Sequence, residues 1–114
     1  MVGSVAEVTT TRSPLDVLNE PHRRAILDLL RVRPRLVGEL ADGLGLAQPA
    51  TSKHLRVLRE AGLVEVEVDG PRRRYHLRAE PLAAVDAWLA PYRWMWTDRL
   101  DALGTHLDSM EDDR

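Results

Sequence analysis

The chain has 114 residues, no cysteine and a formal net charge of −2, with 44% hydrophobic and 30% charged residues. That length suits one domain with a modest core, and the lack of cysteine excludes a disulfide framework, thiolate metal sites and a cysteine nucleophile. Apolar runs are only a few residues long, so no transmembrane helix fits, and Met1 to Arg12 lacks the basic start and apolar core of a secretory signal. A cytoplasmic protein is expected.

Residues 1–13, with Gly3, Ser4 and three consecutive threonines, are expected to form a mobile arm. Pro14 opens a short helical stretch holding Leu15, Val17 and Leu18. Pro21 follows at a helix start, and Ile26, Leu29 and Leu30 recur three and four apart until Pro34 ends the pattern. A second short helix is expected over residues 37–44, burying Leu40 and Leu44 and closed by Gly45, which tolerates the left-handed turn. A third starts near Gln48-Pro49, where the missing proline N–H is harmless, and runs to Glu60 before a glycine stop at Gly62.

The period then changes from helical to two. Val64, Val66 and Val68 alternate with Glu65, Glu67 and Asp69, Asp69-Gly70 marks a turn, and Arg72 to Leu77 returns as the partner strand. Pro81 opens a last helical segment reaching about Met110, with a kink or a break expected near Leu89–Tyr92 because Pro91 removes a helix hydrogen bond. The fold expected is mainly α with a small β-hairpin. The order of elements is the one expected of a winged helix-turn-helix, with dimerisation expected through the terminal helices. The organisation expected, for the reasons of charge and helix face that follow, is an arm (1–13), a DNA-binding domain (14–79) and a dimerisation helix or helix pair with an acidic tail (80–114).

Charge follows the same division. Residues 20–78 hold 12 Lys/Arg against 8 Asp/Glu, whereas residues 79–114 hold 3 against 8. A polyanion is therefore expected on the middle of the chain. In helix 48–60, Thr51, Leu55 and Leu58 share an inward face, leaving Gln48, Ser52, Lys53 and Arg56 on or beside the other, as a major-groove reader requires. Glutamine pairs with adenine and arginine with guanine, while Ser52 and Lys53 suit phosphate. Arg72, Arg73 and Arg74 at the hairpin tip suit the neighbouring backbone or minor groove. A solvated helix face and a soluble turn are the bland readings of these pieces taken singly; their order in one chain favours DNA.

The run from Leu44 to Val64, including Gln48-Pro49-Ala50-Thr51-Ser52-Lys53-His54-Leu55, resembles the ArsR-type winged-helix transcription factors. Pro21 to Leu27 and Gly70 to Leu77 are similar to the first helix and wing of that family, so the resemblance spans about residues 14–110. It implies a bacterial homodimeric repressor on a near-palindromic operator, often autoregulatory, with Gln48, Ser52, Lys53, His54 and Arg56 facing DNA and the wing arginines assisting. Two readings of His54 stay open: a DNA contact and a structural hydrogen bond. Ala47 departs from the family's frequent serine, so the recognition helix lacks a side-chain cap, a loss of about 1 kcal/mol.

The family's metal sites have no counterpart here. Leu36, Val37 and Gly38 stand where a Cys-x-Cys pair would, and Asp86-Ala87-Trp88 puts tryptophan in a histidine's place. The four histidines, His22, His54, His76 and His106, fall on different elements without the spacing of a metal site, so no metal and no cofactor are expected. His106 with Asp101 and Asp108 is the least poor cluster.

Trp88, Tyr92 and Trp96 recur every four residues, and Leu100, Leu103, Leu107 and Met110 continue the apolar stripe. A second copy of the chain is expected to cover it, with Leu15 and Leu18 completing the seam. The other reading is a pocket lined by Trp88, Tyr92, Trp94 and Trp96 for a small apolar effector. No catalytic residues are expected: Ser52 and His54 diverge on one helix, and no glycine-rich phosphate loop occurs. The alternative to a DNA-binding regulator is a protein–protein interaction module whose basic face meets an acidic partner.

Overall fold

A computed structural model describes residues 12–112; the greater part of the expected arm, residues 1–11, lies outside them. Arg12 and Ser13 already belong to the folded part. Arg12 pairs with Glu60 at 2.7 Å, and the Ser13 hydroxyl accepts from the Leu15 N–H to start helix α1 (Pro14–Val17). Helix α2 (Pro21–Val32) begins at Glu20, whose carboxylate accepts from the Arg23 N–H at 3.0 Å, and buries Ile26, Leu27 and Leu30. Pro34 prevents its continuation, and the Leu29 carbonyl near its end accepts both the Arg33 N–H and the Arg35 guanidinium.

Arg35–Leu36 form a short strand, β1, which sequence periodicity does not announce because two residues carry no period. Helix α3 (Val37–Leu44) follows at once and buries Leu40 and Ala41, with Leu44 only partly covered. At its start the Glu39 carboxylate accepts from the Leu36 N–H at 2.9 Å and from Arg33 at 2.9 Å. The Leu36 hydrogen bond first, then that from Arg33, holds the Glu39 carboxyl below its ordinary value. Gly45 ends α3 at φ 67°, a left-handed conformation.

Helix α4 (Gln48–Glu60) leads into strands β2 (Val64–Asp69) and β3 (Arg72–Leu77). The three strands form an antiparallel sheet in the order β1-β3-β2, with Tyr75 opposite both Arg35 and Val66. Ile26, Leu40, Leu55, Leu58 and Leu63 are fully buried, and Val17, Val64 and Tyr75 complete a core between the helices and one face of the hairpin. Exposure rises along β2: Val64 is buried, Val66 intermediate and Val68 67% exposed, because the hairpin outruns the core.

The chain forms two compact units, one ending at Ala83 and the other beginning at Ala84. Helix α5 (Glu80–Leu89) enters the second, where a single 3₁₀ turn (Ala90–Tyr92) at Pro91 separates it from helix α6 (Arg93–Asp112). The proline break is thus a turn between two helices. Arg93 spans it, bonding both the carbonyl and the carboxylate of Asp86. None of the described helices is long and apolar enough to cross a membrane.

Candidate nucleic-acid interface

Helix α4 is two-sided. Thr51, Leu55 and Leu58 have no exposed surface, while Gln48, Ser52, Lys53 and Arg56 are all exposed. The burial of one row at three- and four-residue spacing fixes the rotation of the helix and so presents the other row outward. Ala47 supplies no side-chain cap. Instead the Thr51 hydroxyl donates to the Ala47 carbonyl at 3.0 Å, which satisfies this fully buried polar side chain. The Gln48 amide nitrogen rests over α3, 3.4 Å from where a Cβ on Gly38 would stand.

The acidic content of α4 is confined to Glu60 at its last position, and Arg12 neutralises it. The face is therefore positive. On the hairpin, strand alternation divides the three arginines: Arg72 and Arg74 share the outward face with His76, whereas Arg73 lies on the face of Tyr75. Arg72 and Arg73 are exposed and Arg74 is partly covered. Among the described residues none of the three is in an ion pair, although Asp69 and Glu67 stand across the strand pair from Arg72 and Arg74.

His54 stands apart from the exposed row. Its ring is half-buried and stacks on that of His22, centroids 5.6 Å apart and planes at 25°, with Nδ1 3.9 Å from the Glu20 carboxylate. His22 Nδ1 lies 2.9 Å from the same carboxylate. Desolvation raises the Glu20 pKa, but hydrogen bonds with His22 and the Arg23 N–H outweigh it and hold the group below its ordinary value. Two histidines that sequence spacing treats as scattered are brought together by the packing of α4 on the start of α2. Nothing local announces this contact, since 32 positions separate them. His76 pairs with Glu67 on the hairpin. The side chains of His106 and Asp108, and those of Leu107 and Met110, lie outside the described residues.

In the second unit, Trp88, Tyr92, Trp96, Leu100 and Leu103 are each between 42% and 63% exposed in the single chain. Trp88 and Tyr92 pack ring to ring at 5.3 Å across the 3₁₀ turn. A cleft of about 400 Å³ is lined by Trp88, Leu89, Tyr92, Met95, Trp96 and Arg99. Trp94 does not line it, and Met95 does: at helical spacing Met95, Trp96 and Arg99 fall on the face of Trp88 and Tyr92, whereas Trp94, two residues beyond Tyr92, falls on the other side. Of the two N-terminal leucines expected at the seam, Leu15 is exposed and Leu18 packs partly against the core.

Two helices meeting at a glycine turn, with a positive outward row on the second and an arginine-bearing hairpin beside them, define a winged helix-turn-helix. The profile of the bacterial regulatory protein, arsR family, matches residues 20–66. The HTH-type transcriptional regulator Rv2034 of Mycobacterium tuberculosis is 39% identical over 109 residues, covering 93% of this chain and 99% of that protein. The HTH-type transcriptional repressor SmtB of Mycobacterium tuberculosis is 41% identical over 71 residues, 62% of this chain and 53% of its own length. Among solved structures, the homodimeric winged helix-turn-helix DNA-binding domain Mb0332 of Mycobacterium bovis superposes with a TM-score of 0.56 at 31% identity, covering 68% of this chain and 72% of that one. The chain belongs to the arsR family of bacterial regulatory proteins, and it is a DNA-binding regulator of transcription, not an enzyme.

Proposed function

We propose that the protein is a cytoplasmic homodimeric repressor whose two α4 helices enter successive major grooves of a near-palindromic operator, about 34–36 Å apart. Gln48 and Arg56 read base edges, Ser52 and Lys53 hold phosphates, and Arg72, Arg73 and Arg74 reach the flanking backbone or minor groove. The observation that carries this reading is the division of α4 into a fully buried row and an exposed polar row. The inward position of His54 favours its structural role over a DNA contact. The exposed stripe from Trp88 to Leu103, continued in sequence by Leu107, is the surface proposed to meet the second copy, and Leu15, exposed on the first unit, is a separate candidate for that contact.

Fluorescence anisotropy with DNA from upstream of the protein's own gene, competed by a scrambled duplex at two salt concentrations, tests the proposal. A preference of about a thousandfold or more is expected of a specific regulator. Equal binding of both duplexes, with the same salt slope, would remove the case for that operator. The cleft at Trp88 and Trp96 is the place for a small apolar effector, and an effector that shifts the anisotropy midpoint would be required to quench tryptophan fluorescence as well.

A further inference from the structure

Glu20, His22 and His54 meet where the first turn of α2 touches the middle of α4. One donor atom from each lies within 4.8 Å of the other two. All three side chains reach solvent, with exposures of 30% for Glu20, 45% for His22 and 22% for His54. The two cations next in sequence are turned elsewhere: Arg23 donates to the Val17 carbonyl and Arg24 to the Leu18 carbonyl, each at 2.6 Å.

We propose that Glu20, His22 and His54 form a binding site for one divalent transition-metal ion of the zinc, cobalt or nickel kind. Two imidazole nitrogens and a carboxylate oxygen are the donor set that borderline ions favour, and three protein ligands leave a fourth position to water. Bonds of about 2.0–2.2 Å to a tetrahedral ion require donors roughly 3.3–3.5 Å apart. The cluster reaches that spacing by rotation of the side chains, with no movement of the helices: the backbone of α2 is held by the Arg23 N–H to Glu20, and His54 by the buried neighbours Thr51, Leu55 and Leu58 on α4. The stacked rings already point their nitrogens toward one carboxylate. The site is distinct from the cysteine pair and the last-helix ligands that the chain lacks, and it joins α2 to α4 directly beside Lys53.

The test uses the full chain, freed of metal with a chelator and titrated at neutral pH with cobalt(II) alone. Visible absorption bands saturating at one equivalent per protomer, and bleached by one equivalent of zinc(II), are expected. His22→Gln and His54→Gln should each weaken cobalt binding by more than about tenfold, the lower bound for residues one layer further from a metal. His76→Gln and His106→Gln should leave it unchanged. Because His22 is partly exposed, H22Q keeps the test sound even if H54Q unfolds, and circular dichroism reports folding in each variant. Absence of a saturable band, wild-type binding in H22Q, or loss of binding in H76Q or H106Q would overturn the proposal.

Discussion

At the scale of single residues, the proposed base readers Gln48 and Arg56 would carry the heaviest demands, because phosphate contacts position a protein on DNA whereas base-edge contacts read its sequence directly. Both are exposed and stand about two helical turns apart on α4, while Thr51 and Leu55 anchor the helix from behind. Replacing both Gln48 and Arg56 with alanine therefore leaves the fold intact and removes the preference for the operator. The expected loss is about 1–3 kcal/mol of discrimination for each bidentate contact, read as convergence of specific and scrambled duplex affinities. A persistent operator footprint would assign sequence reading to other residues. Gly45 makes a demand of another kind. Nothing lies within 4 Å of an added Cβ there, so the only penalty for a side chain is its φ of 67°. Gly45→Ala should cost about 1–2 kcal/mol, seen as a lower urea midpoint with an unchanged slope. Gly45→Asn should cost less, since asparagine visits the left-handed region more readily. Equal midpoints for all three proteins would mean that the turn relaxes.

At the scale of elements, the wing shows how a run of like residues becomes a shaped surface. Arg72-Arg73-Arg74 reads in sequence as one basic tip, but the two-residue period of β3 sends Arg73 to the opposite face from its neighbours. The three cannot all lie along one phosphate row. Changing all three to alanine should weaken operator and scrambled DNA alike and reduce the salt slope by about 0.9 for each phosphate no longer neutralised. Arg73→Ala and Arg72→Ala should differ from each other, and a slope unmoved by the triple change would take the wing off the phosphates. The same elements explain why much of the fold is legible in the sequence. Helices α2, α3 and α4 and the hairpin are bounded by Pro21, Gly45, Pro49, Gly62 and Gly70, residues whose backbone constraints act locally. Strand β1 and the Glu20–His22–His54 cluster depend on partners far along the chain: Arg35 and Leu36 pair with Tyr75 and Arg74, and His54 meets His22 only after α4 packs. Spacing in a sequence does not record such meetings.

At the scale of the whole molecule, the problem is the apolar surface of α5 and α6. Trp88, Tyr92, Trp96, Leu100 and Leu103 are exposed along consecutive turns, and Trp94 and Met95 add to them at 63% and 47%. Soluble chains rarely leave a contiguous patch of that kind uncovered, and each large side chain buried contributes about 1.5–3 kcal/mol. The second copy proposed above would answer the problem and would also supply the second recognition helix that a palindromic site needs. Trp96→Asp with Leu103→Asp places two charges on the stripe, where burial of an unpaired carboxylate is prohibitive. The double variant should sediment as a monomer while keeping the helical signal of the first unit, whose core holds neither residue. Its affinity for a single half-site should be unchanged, and its affinity for the full operator should fall by about a hundredfold or more, because the second half-site no longer binds at a high effective concentration. A dimer that survives both charges would move the interface off this stripe and leave the cleft at Trp88 and Trp96 free for a ligand. A monomer that still holds the full operator at wild-type affinity would instead mean that one recognition helix and its wing suffice.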